Sequence, residues 1–226
     1  MIEAIIFDKD GTLFDFQATW AAPFLAMVER MPEADGRAEV ADAIGVDLKT
    51  RRFRPDSMVI ASTSEDVVAV LAPLLAEEPR VLAARLDRDL ADVPQVAPVP
   101  LVPCLTGLKA SCTLGVVTND AEHPARAHLA QHGVLEMFDF VAGYDSGFGA
   151  KPAPGQLLAF ADAVGAAPEA TLMVGDSRHD LVAGRAAGMI PIGVLTGVAD
   201  AAELADLAEV VLPDIGHIAA WIAGRG

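Results

Sequence analysis

The stretch Ile5-Ile6-Phe7-Asp8-Lys9-Asp10-Gly11-Thr12 constrains the fold more than any other in the chain. A short apolar run bounded by turn residues reads as a buried strand of the parallel type, covered on both faces. Side chains two apart on an extended backbone point to the same side, so Asp8 and Asp10 leave the strand's carboxyl end together. Open α/β sheets bind their ligands at that edge. Gly11 permits a sharp turn or a close approach of backbone to an anion. An acidic turn serving only conformation is the competing reading, because Asp and Gly are common in loops.

A chain of 226 residues, 53% hydrophobic and 21% charged, can bury a sizeable core as one large domain or two small ones. Its formal net charge of -16, with no long stripe of Lys or Arg, argues against nucleic acid as a partner. An anionic substrate would then need a local cation, and a bound metal would supply one. The start carries Glu3 and no basic leader, and no uncharged apolar stretch reaches bilayer length, so the expectation is a cytoplasmic protein without a membrane partner. Cys104 and Cys112 are too few and too ordinary in setting for a disulfide scaffold or a zinc site.

From Phe14 onward the pattern is helical. Trp20, Phe24, Met27, Val28 and Met31 share one helical spacing, which Pro32 ends, and they read as core of the inserted segment. A second helix spans about 37–44 and stops at Gly45. Residues 47–57 read as an exposed loop or short hairpin, and Ser62 with Glu65 forms a capping-box pattern that opens a third helix. A fourth fits Pro79 to Leu90. Pro94, Pro98, Pro100 and Pro103 then mark a semi-rigid connector. Beyond it helices and strands alternate, with strands at 113–117, 138–142, 171–174 and 190–194, which implies a parallel sheet with helices on both faces. The expected fold is α/β, a doubly wound, Rossmann-like core of residues 1–14 and 95–226, interrupted by a helical cap domain of residues 15–94.

Three later stretches complete a constellation. Leu114 to Val117 is another buried run, and it ends in Thr118-Asn119-Asp120, whose hydroxyl and backbone amides are donors a phosphate needs. Turn formation and helix capping explain the same residues equally well. Lys151 stands before Pro152 and Pro154, where it is either a site residue or a solvated surface lysine. Leu172-Met173-Val174-Gly175-Asp176 repeats the opening logic, and Asp180 follows one helical turn later. Three carboxylates from two strand ends make an oxygen-rich site suited to Mg2+.

In this order and spacing the four stretches resemble the signature motifs of the haloacid dehalogenase superfamily, and the place of the helical insertion resembles its subgroup with a cap after the first motif. The resemblance implies a Mg2+-dependent phosphatase of a small phosphorylated metabolite, similar to the phosphoglycolate phosphatases. It implies Asp8 as the nucleophile that forms an aspartyl-phosphate, Asp10 as general acid and base, and Thr118 and Lys151 as binders of the transferring phosphoryl group. Gly11 and Asn119 would help bind substrate. The metal would be held by Asp8, Asp176 and the backbone carbonyl of Asp10, with Asp180 behind them. Lys9 stands where the family more usually has an apolar residue, and its side chain is expected to point away from the metal. A sugar-phosphate mutase on the same core is the alternative, and a receiver-like regulatory module a more distant one. The chain would act as a monomer or a homodimer.

Other residues carry open readings. His128 and His132 share a helix face and read as surface residues, and His179 reads as solvent-facing or as part of the cleft. Arg51, Arg52 and Arg54 are the only concentrated positive charge in the chain. They are either a solvated basic turn or, with Arg51 and Arg54 as substrate-binding candidates, a grip for a second anionic group.

Overall fold

The computed structural model of the chain describes residues 1–31, 34–60, 62–90 and 93–225. Strand β1 (Ala4–Phe7) is followed by helix α1 (Phe16–Glu29), helix α2 (Ala34–Ala43), a hairpin of β2 (Val46–Asp47) and β3 (Arg52–Phe53), and helices α3 (Ser64–Leu75) and α4 (Pro79–Leu90). The remainder alternates: α5 (Leu101–Lys109), β4 (Thr113–Val117), α6 (Glu122–Gln131), β5 (Phe140–Ala142), α7 (Gly155–Val164), β6 (Thr171–Gly175), α8 (Arg178–Ala186), β7 (Ile190–Val194), α9 (Ala201–Leu204), β8 (Val210–Leu212) and α10 (Ile218–Ala223). Six strands form one parallel sheet in the order β5-β4-β1-β6-β7-β8.

Every residue of β1 is buried because the strand is central and covered on both sides. Its alternation splits the core: Ile5 and Phe7 face α5, α6 and α10, whereas Ala4 and Ile6 face α7 and α8. The register is even, with Phe7 level with Val116 on one side and Val174 on the other. The residues just past the ends of β1, β4 and β6 therefore stand at one edge. The double winding is the expected one.

The helical segment between β1 and α5 has a buried cluster of its own, in which Phe16, Phe24, Leu25, Val28, Ile44, Phe53, Leu71 and Leu82 meet. Truncating Leu71 there, fully buried, would cost about 2–5 kcal/mol. The chain enters and leaves this segment side by side: the Asp15 amide donates to the Val96 carbonyl at 2.7 Å, and the Val96 amide to Oγ1 of Thr19 at 3.1 Å.

Two local readings shift. The cap of α3 is Thr63 with Asp66, not Ser62 with Glu65: the Asp66 amide donates to Oγ1 of Thr63 at 3.2 Å, and the Thr63 amide to Oδ2 of Asp66 at 3.0 Å. Both pairs satisfy the three-residue spacing, and the second leaves Val67 and Val68 facing the core. Pro103 lies inside α5 rather than in the connector, within a first turn whose amides have no partner to lose. The stop expected at Pro32 lies outside the described residues.

Candidate active site

The sheet edge gathers side chains from four loops. Asp8 follows β1, with its amide bonded to the Val174 carbonyl at 2.8 Å. Thr118 follows β4, Asp176 follows β6, and all three side chains are buried. Lys151 arrives from the loop before α7, and its position is set by Asn119. The Asn119 side-chain amide donates to the Lys151 carbonyl and accepts from the Lys151 amide, both at 2.9 Å. This two-point clamp admits only one orientation of the amide. Asn119, expected to bind substrate, lines the cleft and also holds the lysine through both ends of its side-chain amide. Gln156, buried in α7, steadies the neighbouring Thr118 carbonyl at 3.1 Å.

Lys151 Nζ donates to Oδ1 of Asp8 at 2.5 Å, to Oδ1 of Asp180 at 2.6 Å and to the Val117 carbonyl at 3.2 Å. Asp180 is the third residue of α8 and closes a capping box with Ser177, whose hydroxyl donates to Asp180 Oδ2 at 2.6 Å. Burial alone would lower the Lys151 amino group, yet Asp180 and Asp8 hold it above its ordinary range. The carboxylates go the other way. Burial pushes Asp8 up to about 7 despite Lys151, and burial with Asp180 and Asp8 pushes Asp176 well above its ordinary range. Three carboxylates around one ammonium carry more negative charge than a buried site can hold without protons or a cation.

A divalent metal fits these residues. Carboxylate oxygens of Asp8, Asp176 and Asp180 lie within 4.8 Å of one another, and all three residues are buried. The donors are all oxygen, the set preferred by hard cations. Asp176 Oδ2 is buried with no hydrogen-bond partner among the described residues, while Oδ1 receives only Thr12 Oγ1 at 3.4 Å. A buried, unpartnered carboxylate oxygen is costly unless something cationic meets it. Two glycines make room for that carboxylate. A Cβ on Gly11 (φ +90°) would stand 2.3 Å from it, and one on Gly197 only 1.7 Å from Oδ2. The carboxylate of Asp10 is outside this cluster.

Asp10 instead faces a second buried cation, Lys9, to which the sequence alone assigns no partner. Lys9 is fully buried, and its Nζ lies 2.6 Å from Asp10 Oδ2, 3.2 Å from Asp120 Oδ2 and 3.2 Å from Nδ1 of His128. It does point away from the Asp8 cluster, but into a polar one. Burial favours a protonated Asp10, but Lys9 and the Trp20 indole, which donates to Oδ1 at 2.9 Å, hold the carboxyl below its ordinary range. Burial and Lys9 lower His128, consistent with a neutral ring accepting at Nδ1. His128 is therefore no surface residue, and Trp20 is more than core: both line the cleft with Asp10. Lys9 between two acids was the one signal that could have pointed here.

The cleft is a cavity of about 830 Å³ between the sheet edge and the helical segment. Asp8, Asp10, Thr118, Lys151, Asp180 and the exposed His179 line its sheet end. The structure does not bring the arginines there. The apolar side of the hairpin docks on α1, where Phe53 packs edge-on against Phe16 and Phe24 at 5.0 and 5.5 Å. That turns Arg51 toward Glu29 and Arg54 toward Asp42 and Asp56, at 2.9 and 3.1 Å, and Arg52 is exposed. Arg51 and Arg54 form the solvated basic turn.

Comparison with known proteins agrees with this geometry. A family model described as haloacid dehalogenase-like hydrolase matches residues 2–188. A phosphoglycolate phosphatase of Neisseria meningitidis is 30% identical over 228 residues, covering 99% of this chain and 90% of the relative. Among solved structures, a haloacid dehalogenase-like hydrolase from Bacteroides fragilis superposes with a TM-score of 0.74 at 23% identity, covering 96% of this chain and 100% of that one. A β-phosphoglucomutase from Clostridium difficile reaches 0.70 at 19% identity over 100% and 97% of the two chains, a likeness that concerns the fold alone. With the sheet order, the buried carboxylates and the matched sequence in agreement, the chain belongs to the haloacid dehalogenase-like hydrolases.

Proposed function

We propose that the protein is a Mg2+-dependent phosphomonoesterase that works through an aspartyl-phosphate on Asp8. The observation that carries the reading is the buried group of Asp8, Asp176 and Asp180 around Lys151, with an unpartnered oxygen on Asp176. The relatives named phosphoglycolate phosphatase support the reaction class and make phosphoglycolate the first substrate to test. Residues 15–94 act as a cap domain over a core of residues 1–14 and 95–226. The two adjacent crossings at Asp15 and Val96 form its hinge, and closure would exclude water from the cleft.

An oxygen of Asp8 attacks phosphorus, and the bond from phosphorus to the leaving oxygen breaks. Asp10 protonates that oxygen, then takes the proton of the water that hydrolyses the acyl phosphate. Being held below its ordinary range, Asp10 rests as the carboxylate, the form that the second half-reaction needs. Thr118 and Lys151 carry the charge on the phosphoryl oxygens, and Asn119 keeps the lysine in place. Mg2+ held by Asp8, Asp176 and the Asp10 backbone carbonyl, with Asp180 behind, supplies positive charge that offsets the carboxylates and the phosphoryl oxygens when bound.

The test is phosphate release from phosphoglycolate and p-nitrophenyl phosphate, with Mg2+ and with chelator. Asp8→Asn is expected to lose turnover by several orders of magnitude and to trap no phosphoenzyme, whereas Asp10→Asn still labels slowly. An active Asp8→Asn sinks the mechanism. Phosphate moved to a second hydroxyl of a sugar phosphate, with none released, would make the protein a mutase instead.

A further inference from the structure

We propose that the group esterified to the phosphate is extended, uncharged and largely apolar, an alkyl or aryl group and not a small carboxylate. This rests on the phosphomonoesterase reading and adds the substrate class.

Size is the first ground. A cavity of about 830 Å³ lies near the top of the range of about 300–1,000 Å³ that holds drug-sized ligands, far more than a phosphate on two carbons fills. Lining chemistry is the second. The wall supplied by the helical segment includes Phe24, Val67, Val68, Ala83, Leu86 and Leu90, from α1, α3 and α4. A carboxylate placed against such a wall gives up water without gaining a partner, whereas a methylene gains by the same move.

Charge is the third ground. A substrate with a second anionic group needs a cation beyond the one that meets the phosphoryl oxygens. Lys151 is already bound to Asp8 and Asp180, and Lys9 to Asp10 and Asp120. Arg80, on α4, is the one arginine among the lining residues, and it is exposed. Glu65 and Asp87 from the adjoining helices also line the cavity, and together with Asp120 and Asp145 they lie near enough to Tyr144 to raise its hydroxyl, after the effect of burial. The other lining groups able to carry positive charge, Arg80, His123 and His179, are all exposed, so among the described residues no buried cation away from the sheet edge waits for a second anion. Of the arginine cluster that would have answered this need, Arg51 and Arg54 are paired with acids of the helical segment, and none of the three lines the cavity.

The test is a series of linear alkyl phosphates from propyl to hexyl, whose leaving groups differ little in basicity, together with 2-phosphoglycolate, all with Mg2+ present. The expected result is a kcat/KM that climbs about fourfold per methylene, ending about a hundredfold or more above phosphoglycolate. A helical-wall variant, Ala83→Phe, should lower kcat/KM for hexyl phosphate at least about tenfold more than for propyl phosphate, a difference that general misfolding would not produce. Release from every ester with a flat series, or a preference for phosphoglycolate, overturns this proposal and leaves the phosphatase reading standing. Release from none of them overturns both.

Discussion

Replacing Lys9 by Met keeps an unbranched, flexible side chain one heavy atom shorter and removes its charge from a site with no exposure to solvent. The ammonium now holds two carboxylates, Asp10 at 2.6 Å and Asp120 at 3.2 Å. Removing one member of a fully buried pair costs about 3–5 kcal/mol, because the other charge is left unpaired. Here the orphaned side chains are 17% and 21% exposed, so water recovers part of the loss, and about 2–4 kcal/mol is expected. For a chain of this size that is a fall in Tm of roughly 5–15 °C. The pH dependence has a defined sign. Asp10 sits below its ordinary 3.8 when folded, so its contribution is complete above that value and drains away as pH falls through the lower folded one. Lys9 is raised above 10.5, burial being outweighed by Asp10 and Asp120, so its contribution is complete below that value and is lost only in strong alkali. Urea unfolding followed by circular dichroism should therefore show a wild-type advantage that is flat between about pH 5 and 9 and shrinks toward pH 3. Turnover should fall about 10- to 100-fold while phosphoenzyme on Asp8 is still trapped, because the missing contact orients Asp10 and not the nucleophile. A stability change below about 1 kcal/mol, with unchanged kcat, would refute the idea that Lys9 holds Asp10 in place.

Four other expectations follow from the same geometry. With Asp8 pushed up to about 7, a divalent cation must displace protons below that pH, so Mg2+ affinity measured by calorimetry should strengthen from pH 5.5 to 7.5 with proton release; an affinity independent of pH would contradict this. For the same reason the metal-free protein should lose stability as pH rises from about 4 through 7, since its folded form binds the extra proton, and saturating Mg2+ should reverse the trend. Asn119→Ala, which frees the backbone of Lys151, should lower kcat about 10- to 100-fold with little change in KM, and an equal loss in both would mean that the amide touches substrate instead. Arg51→Ala and Arg54→Ala should each change stability by less than about 1 kcal/mol and leave kcat/KM unaltered for every ester; selective loss on a dianionic substrate would put the basic turn back in the site.

Much of the core was legible because burial has a one-dimensional signature. Apolar runs ending at Phe7, Val117 and Val174 could only be covered strands, and parallel strands in even register must end at one edge, so Asp8, Thr118 and Asp176 stand together. Local chemistry was less decisive. Ser62 with Glu65 and Thr63 with Asp66 satisfy the same spacing, and only the packing of α3 on its neighbours selects between them. The remaining features join residues from separate elements, for which no sequence periodicity exists. Lys9 meets His128 across 119 positions, and beyond the two acids flanking Lys9 nothing in either neighbourhood announces the contact. Trp20 has helical spacing suited to a core, yet its indole reaches Asp10 because α1 crosses above the sheet edge. The direction of Arg51 and Arg54 was settled by Phe53, whose ring buries one side of the hairpin and leaves the charges to the other. Sequence pattern determined which residues are buried and at which edge the strands end; tertiary packing decided which buried charges meet, since that depends on the distances between elements and not on the order of residues within them.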